Sequence, residues 1–182
     1  MLPLTEILES IRDFMETGGW VLWPILFTSL LLWTLIVERY WYLGLVYPRQ
    51  LRSLVEQWMA REDRSSWYAR KQREALISDL ALRLDRSLGL IKTLIALCPL
   101  LGLLGTVTGM IQVFDVMAIT GTGNARAMAS GVSMATIPTM AGMVAALSGF
   151  YFSARLQSRA AAERQRAADL LSPFPRPADA GS

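Results

Sequence analysis

Three stretches of this chain carry no charged side chain over lengths that could cross a bilayer, and this limits the possible folds more than any other feature. Gly18 to Val37, Thr93 to Phe114 and Ala127 to Ala154 contain no Asp, Glu, Lys, Arg or His. A membrane span needs about 20 predominantly apolar residues. With no water in the hydrocarbon core, the backbone must satisfy its own hydrogen bonds, which leaves helices or closed barrels. None of the three stretches shows strand-like alternation. Charged residues make up 18% of the chain, against roughly 25% in soluble domains. The fold class expected is therefore an all-α integral membrane protein with three transmembrane helices. A cleaved leader is the alternative for the first stretch. It fits poorly, because the preceding residues hold Glu6, Glu9, Asp13 and Glu16 against one Arg12, and leaders start basic with a short apolar core.

The basic residues sort by segment. Between the first and second spans lie Arg49, Arg52, Arg61, Arg64, Arg70, Lys71, Arg73, Arg83 and Arg86; after the third come Arg155, Arg159, Arg164, Arg166 and Arg176. Between the second and third lie only Asp115 and Arg126. The positive-inside rule places the middle segment and the tail in the cytoplasm, and the N-terminus and short loop outside. The expected organisation is an outer N-terminal segment 1–17, spans at 18–43, 93–117 and 127–154, a cytoplasmic helical segment 44–92, an outer loop 118–126, a cytoplasmic helical extension 155–171 and a disordered tail 172–182. This sorting speaks against nucleic acid as a partner, despite a net charge of +3. Arginine-rich helices can meet anionic headgroups, although solvation or pairing between subunits is the reading favoured here.

Local signals refine the helices. Pro24 is a candidate kink in the first span. Residues 49 to 60 read as a short helix after Pro48, and Leu76, Leu80, Leu84 and Leu88 recur on one helical face. That helix is expected to run into the second span, with interruptions near Gly89 and Pro99. The third span continues into a run of strong helix formers. If unbroken from 127 to 171 it extends on the order of 65 Å, at about 1.5 Å per residue.

The second span is diluted by residues that lipid does not favour. Gly102, Gly105 and Gly109 lie on one face with Thr106, and the third span carries Gly131, Ala135, Thr139, Gly142, Ala146 and Gly149 at spacings of three and four. Small residues let helix backbones approach and gain van der Waals contact in a bilayer. The six glycines are therefore candidates for helix packing. Hydroxyls are also concentrated here: Thr106 and Thr108 with Gln112 in the second span, and Ser130, Ser133, Thr136, Thr139 and Ser148 in the third. A single hydroxyl can bond its own helix. Several on two spans point to a polar-lined interior or pore.

Proton relays in membranes use buried Asp, Glu or His, and the second and third spans have none. A conducting path would need a carboxylate from another polypeptide. The lack of histidine and the single Cys98 leave no basis for a metal, a cofactor, an intramolecular disulfide or a nucleophile–base pair, so no enzyme activity is expected.

"PLLGLLGTVTGMIQVF" (99–114) followed by "ASGVSMATIPTMAGMVAALSGFYF" (129–152) resembles the paired second and third spans of the MotA/TolQ/ExbB proton-channel family. The "ERYWYL" exit of the first span fits as well, and the short three-span layout resembles the compact ExbB branch. The resemblance implies a ring-shaped homo-oligomer, a pentamer, in the bacterial inner membrane with its N-terminus periplasmic and its C-terminus cytoplasmic. It implies a pore around the helices of an ExbD-like single-span partner that supplies a membrane aspartate, and a TonB-like protein that receives the energy. Thr106 and Thr139 match the family's pore threonines, with Thr136 and Ser133 beside them on the proton path. The chain departs from many relatives at Met134, where they carry a glutamate, and at Ser148, where they carry a proline. A TolQ-like role in envelope maintenance and a non-conducting membrane scaffold are the alternatives.

Overall fold

The computed structural model describes residues 4–60, 66–120 and 125–172. Arg61, Arg64, residues 121–124 of the expected loop 118–126, and the tail beyond Ser172 with Arg176 lie outside the described residues. Six α-helices follow in order: α1 (Leu4–Thr17), α2 (Leu22–Trp41), α3 (Tyr47–Met59), α4 (Trp67–Asp85), α5 (Leu88–Thr120) and α6 (Ala125–Leu170), with a π-helical turn, Tyr42–Val46, joining α2 to α3. There is no strand among the described residues. Three helical stretches, Leu22–Met59, Trp67–Ile119 and Met128–Leu170, are long and apolar enough to cross a membrane.

Several local expectations change. The N-terminal segment, given no helix from the sequence, forms α1. The signal was there: Ile11, Phe14 and Met15 share a face of a stretch whose other side carries Arg12, Asp13 and Glu16. A turn at Gly19, with φ +73°, separates α1 from α2, and that left-handed backbone is one glycine adopts without a Cβ penalty. Pro24 lies in the first turn of α2, where a missing N–H leaves no helical bond unmade. The widening comes later. Tyr47 donates its N–H to the Tyr42 carbonyl, five residues back. Pro48 has no N–H to return to Gly44, and its ring would press on that carbonyl in a regular helix; a π turn relieves both.

Of the interruptions expected near Gly89 and Pro99, the first occurs just before Gly89 and the second does not. The break falls at Arg86–Ser87, and α5 runs through both residues to Thr120. Gly89 has no neighbour to clear, so it forces no bend. The α6 helix is continuous over 46 residues with Pro138 inside it, and it starts at Ala125 where a loop was expected.

The chain divides into two compact units. The first comprises residues 1–34 and 92–151. Val21, Leu22 and Ile25 are buried there, with Met15, Leu101, Ile137 and Ala141 packed against them. Its outward faces are apolar: Trp23, Phe27 and Leu30 on α2, Leu103, Val107 and Ile111 on α5, and Val144 and Leu147 on α6 are all exposed. That is the surface a hydrocarbon solvent accepts.

The second unit comprises residues 35–91 and 152–182. Its core holds Ile36, Tyr47, Leu51, Leu80, Leu84, Leu156 and Leu171. Polar groups hold its helices together as well. Tyr47 donates to the Glu163 carbonyl at 3.2 Å, and Arg164 pairs with Asp85. Arg73 on α4 donates from Nε to the Leu171 carbonyl and from Nη2 to the Ala168 carbonyl, both at 2.8 Å. The last carbonyls of a helix have no partner within it and carry its negative pole, so Arg73 caps α6 from a neighbouring helix. Ser66 caps α4, its Oγ accepting the Ala69 N–H at 3.2 Å.

Candidate functional site

Within the first unit, α5 and α6 run antiparallel and very close. As position rises along α5 the opposing residue on α6 falls in step, from Cys98 against Gly142 through Gly102 against Thr139 and Gly109 against Ala135 to Val113 against Gly131. A methyl group on Gly142 would stand 2.5 Å from the Cys98 carbonyl oxygen; on Gly109, 2.6 Å from Ala135 Cα; on Gly102, 2.9 Å from Thr139 Cα. Those three glycines face backbone. Gly105 faces the Pro138 ring, Gly131 the Val113 side chain, and Gly149 the Leu32 and Ile95 side chains. Backbones this near exchange many dispersion contacts, the main attraction available where lipid is as apolar as the side chains.

This register sets the hydroxyls. The Thr139 hydroxyl donates to the Gly102 carbonyl on α5 at 3.1 Å, so it ties the two helices together. Thr106 lies one turn beyond Gly102. It is half-buried and donates to its own helix, at the Leu103 carbonyl, 2.7 Å away. Thr136 donates to the Ser133 carbonyl at 3.2 Å, and both side chains are exposed. Thr108 is held between the Leu104 and Gly105 carbonyls, each at 3.0 Å, and Ser148 bonds Ala145 at 2.9 Å. The four residues expected on a proton path are therefore divided: Thr139 at the α5–α6 seam, Thr106 beside it, and Ser133 with Thr136 on the outward face of α6.

A hydroxyl has one proton to donate and two lone pairs to accept with. At Thr106, Thr136 and Thr139 the proton is directed at a backbone carbonyl, so these groups present acceptor oxygens. An acceptor favours the protonated form of a carboxyl group and disfavours the carboxylate. Met134 is half-buried and packs near Gly19. Gln112 is exposed on α5. Among the described residues no group of acids, cysteines or histidines could hold a metal ion.

In the sequence Arg39 stands out only as part of the "ERYWYL" exit of the first span. In the second unit it is 3% exposed, and its surroundings depend on α4, which is distant in sequence. No local pattern signals that burial.

Residues 46–168 match the MotA/TolQ/ExbB proton channel family. The chain is 32% identical over 179 aligned residues to putative biopolymer transport protein ExbB-like 1 of a Synechocystis species, an alignment covering 80% of this chain and 70% of that protein. It is 28% identical over 181 residues to biopolymer transport protein exbB1 of Vibrio cholerae, covering 77% and 76%. A second Synechocystis protein, putative biopolymer transport protein ExbB-like 3, matches at 38% over 66 residues, 35% of this chain and 31% of that one. No solved structure matches the chain.

Proposed function

The chain belongs to the MotA/TolQ/ExbB proton channel family, and from that membership we propose that it is an ExbB-like subunit of a motor driven by the proton-motive force. In this reading it sits in the bacterial inner membrane, N-terminus in the periplasm and C-terminus in the cytoplasm. A ring of copies, a pentamer, encloses the membrane helices of an ExbD-like partner, and a TonB-like protein carries the energy to outer-membrane uptake. The names of the relatives, ExbB-like and exbB1, favour this branch over a TolQ-like role.

One observation carries the proposal. Two closely packed helices hold threonine and serine hydroxyls but no carboxylic acid between Thr93 and Phe114 or between Ala127 and Ala154. A proton crossing there needs a foreign carboxyl group. Thr106 and Thr139, with Thr136 and Ser133, supply the polar surface it passes. Because their oxygens accept, they hold the visiting group in its neutral form, the form least penalised by a low dielectric. Deprotonation then belongs to the ends of the path, where water can take the charge.

A chain with both Thr106→Val and Thr139→Val tests this reading. Threonine and valine are close in shape, and an interhelical hydrogen bond in a membrane averages roughly 0.6 kcal/mol, so the variant should still form the complex. It should lose TonB-dependent uptake by at least about tenfold, if each hydroxyl is worth the roughly 1 kcal/mol of an ordinary hydrogen bond. Full uptake with normal assembly would leave the scaffold reading in its place.

A further inference from the structure

The second unit contains an open cavity of about 690 Å³ where α2 ends. Arg39 from the end of α2, Tyr42 from the π-helical turn, Arg83 from the end of α4, Arg86 and Ser87 from the break after it, and Gln50 line it, with Glu38 as its one carboxylate. Three guanidiniums against one acid leave the lining positive. Arg83 is already engaged with Asp79 at 2.9 Å. Neither Arg39 nor Arg86 takes part in an ion pair among the described residues.

Arg39 is held in an unusual state. It is buried, its Nη1 donates to the Arg83 carbonyl at 3.1 Å, and its guanidinium lies 5.3 Å from the centre of the Tyr42 ring. Its Nε is buried with no acceptor in reach among the described residues. A guanidinium has five N–H donors, and burying a charge without an opposite charge is strongly unfavourable. An anion in this cavity would satisfy the donors and offset the charge.

The position says which anion. The first charge-free run ends at Val37, immediately before Glu38 and Arg39. Arg86 and Ser87 precede the second charge-free run, which starts at Thr93, by no more than about two helical turns. Trp41, next in sequence to Tyr42, is 65% exposed, as a side chain at the bilayer interface would be. The α2 wall of the cavity is thus at the depth where span gives way to headgroup, a layer of roughly 5–8 Å on each side of the bilayer. Arg86 lies about 10 Å before Thr93 along the helix axis, and a long arginine side chain can reach back from there into that layer. Arg, Gln and Ser side chains together supply the donors that phosphate oxygens take.

We propose that this cavity binds the phosphate of an anionic phospholipid headgroup, with Arg39 and Arg86 as its principal donors. The site serves each copy of the chain separately and does not depend on the pore reading.

The test uses full-length protein, purified in mild detergent and delipidated. Phosphatidylglycerol, phosphatidylcholine or sodium phosphate is added, and bound lipid is counted by mass spectrometry of the intact protein alongside the melting temperature. Phosphatidylglycerol should be retained at least fivefold more tightly than phosphatidylcholine and should raise the melting temperature. Arg86→Gln should weaken that retention about fivefold, the effect of one basic residue near an anionic surface. Arg39→Gln should weaken it further. Arg39 is buried and its variant can misfold, so exposed Arg86 carries the decision. Arg49→Gln removes the same charge from an exposed position outside the cavity and should change nothing. Equal retention of the two lipids, an unaltered Arg86→Gln, or an equal loss in Arg49→Gln would overturn the site. Displacement of phosphatidylglycerol by an equal concentration of inorganic phosphate would show a free anion in place of a lipid.

Discussion

At Gly109 the backbone of α5 lies so close to α6 that a methyl group would stand 2.6 Å from Ala135 Cα. At Arg73, α4 reaches the end of α6 with a guanidinium and two bonds of 2.8 Å. The first unit joins its helices by removing side chains; the second joins them by extending charged ones. The composition of each unit accounts for the contrast. Where lipid surrounds the helices, apolar side chains gain little by leaving it, and close approach with matched dispersion contacts is what remains. Where charged residues are interspersed, as on α3 and α4, buried leucines pack the core, and arginines bring specific geometry to helix ends.

This contrast can be broken at its strongest point. Gly142→Leu places a large side chain against the Cys98 carbonyl, where a Cβ alone would be 2.5 Å away. Neither backbone can yield without moving a helix. The change should cost about 3 kcal/mol, the upper end for overpacking, and should abolish assembly, read by size-exclusion chromatography and thermal unfolding in detergent. An unchanged melting temperature would mean that the α5–α6 seam is not what holds the first unit together.

Arg73→Ala should cost less, about 2 kcal/mol, the scale of hydrogen bonds from a charged donor. Its signature is local: faster amide exchange over the last turns of α6, with the first unit unaffected. Arg73→Lys should recover only part, because an ammonium lacks the planar fork that serves two carbonyls at once.

Thr139→Val alone should have the smallest effect. It deletes the bond to the Gly102 carbonyl but keeps the shape, and should change stability by roughly 0.6 kcal/mol. A loss as large as that of Arg73→Ala would show that hydroxyl bonds, rather than small-residue contact, dominate the seam.

The all-helical fold with three membrane-length apolar helices was legible in the sequence, since absence of charge over some 20 residues is a local property with one main physical outcome. The family was legible in two motifs that sit on neighbouring spans. Helix boundaries were less so. The interruption expected near Gly89 falls at Arg86–Ser87, so that Gly89 is the second residue of α5, whereas Pro99, an intrinsic helix breaker, lies inside α5 without ending it. Helix α1 was overlooked because its acids were read for topology and its apolar face was not read at all.

The candidate site divides along the same line. Spacing alone puts Gly102, Gly105 and Gly109 on one face and gathers the hydroxyls on two helices, because both are properties of single helices. The sequence by itself determined that these segments are helical, apolar and free of Asp, Glu and His. The tertiary structure decided that the Thr139 hydroxyl reaches the Gly102 carbonyl, that Ser133 and Thr136 face outward, and that Arg39 is buried beside Arg83. Those facts depend on the register between helices distant in sequence. A shift of a fraction of a turn between two helices changes every cross-helix partner while leaving each helix's own pattern intact, so no one-dimensional pattern records it.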